Sequence, residues 1–227
     1  PLGPLSSSAL RREGQDGVMT ASSSRPEPTA APARRSARGR VEPFHVMELL
    51  KAANARAASH GDVITLCAGQ PSTPAPGPAR EAAQRALAAG AVLGYTDAVG
   101  TLALREAIGD HYLRSYGLAV DPGQVVVTTG SSAGFTAVFL AAFDAGDTVL
   151  MARPGYPAYR NTLHALGCRV VELDCGAESR FQPTVAMVEE YAEAHGVPAG
   201  LIVASPANPT GTLLAEAELA AIARWCE

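Results

Sequence analysis

Four short apolar runs, each followed by a helix-length stretch, occupy the second half of this 227-residue chain and constrain its fold more than any other feature. The runs are 124–129, 148–152, 169–173 and 201–204, and helices are expected at 132–143, 157–166, 184–195 and 215–226. Nearly continuous β-branched and aliphatic runs suit strands buried on both faces. Their alternation with helices predicts βαβ units, an α/β fold with a mostly parallel sheet and helices on both sides. Upstream, Val46, Met47, Leu49, Leu50, Ala53 and Ala57 fall on one helical face that Gly61 closes. Residues 63–66 read as a short strand, 79–89 as an Ala-rich helix closed by Gly90, and 101–116 as a helix with Leu104, Ile108 and Tyr112 together. No internal repeat is present. The last helix reaches Glu227 without a stop signal, so a further strand is expected after it.

The 47% apolar and 18% charged composition fits a globular protein and excludes a wholly disordered one. No apolar run of 18 residues exists, so no membrane partner is expected. The charge is uneven. Residues 1–40 hold seven Ser, seven Arg, six Ala and five Pro; seven arginines against three acids give +4, leaving −8 for residues 41–227 of a chain with net charge −4. Such a segment buries too little apolar surface to offset the entropy of ordering, and it reads as a disordered basic tail. A targeting peptide and a basic arm for nucleic acid are the functional alternatives. Lack of apolar periodicity favours the plain tail, with no nucleic-acid partner. The chain starts at Pro1, and Met19 is a candidate start. Cys67, Cys168, Cys175 and Cys226 have no CxxC spacing, which argues against a zinc ribbon or a disulfide framework and for a reduced, cytoplasmic protein with no metal. Lys51 is the only lysine.

The junction Val125-Val126-Val127-Thr128-Thr129-Gly130-Ser131-Ser132-Ala133-Gly134 carries the most chemistry. An apolar strand ends in small residues that open a helix. Unpaired N–H groups and the positive end of the helix dipole converge there, with hydroxyls of Thr129, Ser131 and Ser132 as further donors. This is a phosphate-sized anion site at the carboxyl edge of a sheet; the bland alternative is a Ser-capped helix without a ligand. The same string matches G-x-S-x-G, a nucleophile elbow that would make Ser132 the nucleophile of a serine hydrolase. Asp174 or Glu190 and then His195 would complete its triad.

Three further strings sit at loops. Pro154-Gly155-Tyr156-Pro157 follows the second strand and holds an aromatic ring able to stack on a planar group, or merely to pack at a helix start. Ser205-Pro206-Ala207-Asn208-Pro209-Thr210-Gly211 follows the fourth, and its prolines fix Asn208 as a positioned amide rather than part of a plain turn. Gly94-Tyr95-Thr96-Asp97-Ala98-Val99-Gly100 precedes Leu104-Arg105-Glu106-Ala107-Ile108, and alone would pass for a surface turn.

Taken in order with Gly69-Gln70-Pro71, these strings resemble fold-type I pyridoxal-phosphate aminotransferases, the aspartate aminotransferase-like class I/II. The resemblance covers about residues 41–227, and Asn208-Pro209-Thr210-Gly211 is its most specific part. It implies that residues 41–72 form the N-terminal helix and arm of a small domain, and that 73–227 begin the large cofactor-binding domain. It implies that Gly130, Ser131 and Ser132 hold the phosphate of pyridoxal 5′-phosphate, that Tyr156 stacks on its ring, and that Asn208 donates to the ring hydroxyl oxygen. Tyr95 would reach the phosphate of a neighbouring subunit's cofactor, which implies a homodimer. Gly69 would lie against the substrate carboxylate. The implied reaction moves an amino group between an amino acid and a 2-oxo acid.

Such a reaction needs a lysine that bonds to the cofactor and shuttles a proton, and an acid that keeps the pyridine nitrogen protonated. In the family both follow the Asn-Pro-Thr-Gly string, as does a substrate-binding arginine. Lys51 precedes the motif region and does not match the family's lysine. The expectation is thus an N-terminal portion with no catalytic residue of its own, inactive as it stands, with sheet edges left unpaired. A non-catalytic or regulatory remnant of the same fold is the remaining alternative.

Overall fold

The computed structural model describes residues 36–67, 69 and 71–227. Most of the expected N-terminal tail, and Gln70, lie outside the described residues. Within the rest of that tail, Ala37–Gly39 make one 3-10 turn, with the Ser36 hydroxyl accepting from the Gly39 N–H at 3.2 Å.

Seven helices and three strands follow among the described residues. α1 (His45–His60), α2 (Gly77–Ala88), α3 (Leu102–Tyr116) and α4 (Ser131–Ala142) come first. Then β1 (Thr148–Arg153), α5 (Pro157–Leu166), β2 (Arg169–Asp174), α6 (Val185–His195), β3 (Gly200–Ile202) and α7 (Glu216–Cys226) alternate as the sequence predicts. The sheet is parallel in the order β2-β1-β3, with Leu150 facing Val171 on one side and Leu201 on the other. This is the α/β architecture expected from the alternation.

The pattern of burial explains the order. β1 is central, and Val149, Leu150 and Met151 are 2% exposed or less, as a strand covered on both faces requires. Side chains alternate between faces, so Val149 and its register partner Val170 point to one side. There Val149 joins Phe139 of α4, Leu163 of α5 and Cys168, with Phe135, Phe143, Tyr159, Leu166 and Ile202 around them. Val171 and Leu173 line a groove with Met187 and Tyr191 of α6 on the other side. α5 starts on Pro157, where the missing N–H costs nothing, and ends at Gly167 with φ +92°, a left-handed cap. Gly200 lets β3 approach the Phe143 ring, which a Cβ would meet at 2.5 Å.

Two expected strands do not form. Residues 63–66 are coil, with Ile64 and Leu66 87% and 91% exposed. Residues 122–124 make a 3-10 turn, and 125–128, extended at Val125, join no ladder. Besides local turn bonds at Val125 and Thr128, residues 125–128 are tied to the chain before them by the Val127 N–H, which donates to the Val99 carbonyl at 3.0 Å. Both runs carry strand propensity, but a strand is completed only by a neighbour whose N–H and C=O groups face it, and no described segment supplies one.

No described helix is long and apolar enough to cross a membrane.

Candidate functional site

The carboxyl ends of β1 and β3 open on one cleft. Its lining includes Met151 and Ala152 in the last half of β1, Gly155 and Tyr156 just after it, and Ala204 and Asn208 after β3. Parallel strands end on the same rim, so residues 52 positions apart in the chain meet there. The enclosed space is about 20 Å³, room for about one water molecule. The cleft is therefore one wall of a site, with a flat aromatic and a primary amide on it.

The Tyr156 ring is held from two directions. Phe44 meets it edge-on at 5.9 Å between centroids, and Tyr159 meets it edge-on at 5.4 Å. Tyr159 is in turn edge-on to Phe135 at 5.1 Å, which links the cleft to α4 and the core. Gly155 has no room for a side chain, because a Cβ there would collide with the Ala152 carbonyl. The Arg153–Pro154, Ser205–Pro206 and Asn208–Pro209 peptide bonds are cis. The loop bearing Asn208 closes on itself: the Gly211 N–H donates to the Ala207 carbonyl at 2.7 Å and the Ala207 N–H to the Thr212 carbonyl at 2.9 Å. The Ser205 hydroxyl accepts from the Leu214 N–H at 3.0 Å.

Ser131 and Ser132 form the first turn of α4, and Gly130 is its cap, with φ +80°. The N–H groups of Ser131, Ser132 and Ala133 have no preceding turn to donate to, so they suit an anion. The Gly130 carbonyl accepts from Thr128 Oγ1 at 2.8 Å and from the Gly134 N–H at 3.4 Å, which fixes the turn. Gly130, Ser131 and Ser132 are exposed.

Tyr95 is fully exposed and touches neither Tyr156 nor Asn208 in the cleft lining. Its loop is nevertheless anchored. Gly100, at φ +94°, lies where a Cβ would come within 2.7 Å of Val127. Arg105 Nε donates to the Gly100 carbonyl at 3.2 Å, and its Nη1 to the Pro122 carbonyl at 2.9 Å. The Leu-Arg-Glu string thus has a structural use, holding the Tyr95 loop to the segment that leads into α4. Gly69 is exposed in a loop with no heavy atom near its Cβ position.

The structure brings Tyr156 and Asn208 together and leaves Gly69 and Tyr95 apart from them. It adds Gln182, which the sequence did not single out: this side chain is 3% exposed and lines the same cleft. Its signal in the sequence is slight, a lone polar residue between Phe181 and Pro183.

The hydrolase reading is overturned. Ser132 lines a groove with Phe44, Phe135 and Asn161, whereas Asp174, Glu190 and His195 line a different groove between β2 and α6. Asp174 pairs with Arg153, and His195 stacks on Tyr191 at 4.6 Å with its Nδ1 against the Tyr191 carbonyl. None of the three expected triad partners lines the groove that holds Ser132.

Residues 61–227 match the family model described as aminotransferase class I and II. The chain is 54% identical over 194 residues to the valine–pyruvate aminotransferase of Mycobacterium tuberculosis, covering 86% of this chain and 49% of that protein. It is 34% identical over 163 residues to the aspartate/prephenate aminotransferase of Thermus thermophilus, covering 72% and 42%. Among solved structures, an aminotransferase from Mycobacterium tuberculosis superposes with a TM-score of 0.80 at 54% identity over 86% of this chain and 49% of that one. The aspartate aminotransferase from Thermus thermophilus with maleate superposes at 0.76 and 31%, over 85% and 50%. The chain spans about half the length of these relatives.

Proposed function

The chain belongs to the class I and II aminotransferases, and from that premise we propose that it grips pyridoxal 5′-phosphate in an enzyme that moves an amino group between an amino acid and a 2-oxo acid. The observation that carries this is the meeting of Tyr156 and Asn208 on one cleft wall. A planar, phosphorylated pyridine with an oxygen on its ring fits what the residues offer. The Tyr156 face takes the ring, and Asn208 Nδ2 donates to the ring oxygen. The free N–H groups and hydroxyls at Ser131 and Ser132, with the Gly130 turn, take the phosphate. Gly155 lets the loop pack against Ala152 and Met151 just before Tyr156, where a Cβ would not fit. Bound, the cofactor supplies an electron sink for the substrate's carbon. Holding the ring oxygen with a neutral donor favours its anionic form and orients the ring against the wall.

Residues 73–227 are the first part of the cofactor-binding domain in this reading, and 41–72 the arm and first helix of a smaller one. Gly69 lies against the substrate carboxylate, and Tyr95, projecting into solvent, reaches a second subunit's phosphate site in a homodimer. A cytoplasmic protein is consistent with the unpaired thiols of Cys168 and Cys175. The relative's name makes valine and pyruvate the first substrate pair to assay.

Equilibrium dialysis with pyridoxal 5′-phosphate tests the reading. Saturable binding is expected, competed by inorganic phosphate and weakened about tenfold in Asn208→Ala, the loss of about one charge-assisted hydrogen bond. Binding that ignores both phosphate and the Asn208 substitution overturns it.

A further inference from the structure

The loop that presents Asn208 has two stems, and one side chain from elsewhere in the chain holds both. Gln182 follows the tight turn at Arg180 and Phe181, which have φ +55° and +60°, and its N–H donates to the Ser179 carbonyl at 3.1 Å. From there its side-chain nitrogen donates to the Ala204 carbonyl at 3.3 Å, where the chain leaves β3. It also donates to the Thr212 carbonyl at 2.7 Å and sits 3.3 Å from Thr212 Oγ1, where the chain leaves the loop. Two of these neighbours are carbonyls, which only accept, so the nitrogen of the amide and not its oxygen faces them. Thr212 Oγ1 is fixed in turn by Thr210 Oγ1 at 2.9 Å. Among the described residues no other polar side chain is buried this deeply.

We propose that Gln182 is a positioning residue: by tying Ala204 to Thr212 it sets the width of the loop base, and so fixes where the Asn208 amide stands over the Tyr156 wall. The proposal rests on the reading of Asn208 as a cofactor contact, but its mechanical half does not need the cofactor. A donor is required at position 182. A carboxylate of the same shape would face two carbonyl oxygens and push the stems apart, whereas the protonated acid regains one donor. Burial next to carbonyls raises the pKa of such an acid, so the change between the two forms falls within an accessible pH range.

Hydrogen exchange of the free chain, followed by mass spectrometry, tests the mechanical half. Gln182→Leu is expected to speed exchange at Ala207, Gly211 and Leu214 about tenfold while the β1 and β2 amides stay protected. Gln182→Glu is nearly isosteric and guards against a misfolded leucine variant. Its loop protection, normalised to intrinsic exchange, is expected to be wild-type-like near pH 5 and lost near pH 8. Unchanged loop protection in both variants overturns the proposal, as does a Gln182→Glu loop that is insensitive to pH. A double-substitution cycle on pyridoxal 5′-phosphate affinity tests the other half. Gln182→Leu is expected to weaken binding about tenfold in the wild-type background and not at all beside Asn208→Ala. Effects that simply multiply overturn positioning through Asn208. If the wild-type chain binds no pyridoxal 5′-phosphate, the cofactor reading falls, and pH-dependent loop protection still supports Gln182 as the tie between the stems.

Discussion

Replacing Tyr156 separates the two uses of its ring. The ring is half-buried and makes two edge-on aromatic contacts, with Phe44 at 5.9 Å and Tyr159 at 5.4 Å. Each such pair contributes about 0.5–1.5 kcal/mol, so Tyr156→Ala is expected to cost about 1–3 kcal/mol of stability. In the proposed function, the ring that lines the cleft is also the stacking wall for a planar ligand. Stacking of a flat heterocycle on an aromatic side chain contributes about 1–3 kcal/mol. At 1.4 kcal/mol per tenfold, affinity for pyridoxal 5′-phosphate should fall roughly 5- to 150-fold. Tyr156→Phe keeps the ring, both edge contacts and the face, and the Tyr156 hydroxyl has no hydrogen-bond partner among the described residues, so the variant's affinity should stay within about threefold of wild type. Equilibrium dialysis measures the affinities and urea unfolding the stabilities. The reasoning fails if Tyr156→Phe loses as much affinity as Tyr156→Ala, because the ring face would then not be what binds. It fails equally if Tyr156→Ala binds like wild type.

Two further outcomes follow from the core. Leu163 is fully buried among Phe139, Val149 and Cys168, so Leu163→Ala leaves a cavity and should lower unfolding stability by about 2–5 kcal/mol in urea titrations; a loss under 1 kcal/mol would contradict the packing described. Burial raises the thiol pKa of Cys168, with Asp147 and Asp144 adding to it, and burial likewise raises that of Cys175. Both should resist iodoacetamide at pH 8 while exposed Cys226 reacts, and the stability they contribute should be present below about pH 9, the ordinary thiol value, and lost as pH climbs through their raised values. Labelling of Cys168 before Cys226 in the folded chain would refute this.

What the sequence made legible was local. The starts and stops of α1, α3 and α5 follow from helical periodicity and from the glycines after them, and β1 and β2 from apolar runs of strand length. The runs at 63–66 and 125–128 looked the same on paper. Their composition reports how well each residue suits a pleated surface, and says nothing about whether a neighbour is there to pair with. Of the site, Tyr156 and Asn208 were legible because proline and glycine punctuate their loops. Gln182 was not, because its partners lie 22 and 30 residues away and a single distant tie leaves no periodic trace. The string around Arg105 was visible as a motif, while its use as a brace between Gly100 and Pro122 emerged only from the fold.

One guanidinium serves two acids, one on β2 and one in the segment before α1. Arg160 of α5 lies 3.4 Å from Glu172 on the edge strand and 3.6 Å from Glu42, while Asn161 donates to the Glu42 carbonyl at 3.3 Å. Glu172 is 25% exposed and Glu42 68%, so water competes far more strongly for the second partner. The leading segment is therefore moored by a line that salt slackens first, while the sheet keeps its hold on the same post. Since Phe44 travels with that segment and leans on Tyr156, ionic strength becomes a dial on how firmly the aromatic wall is braced from the outside.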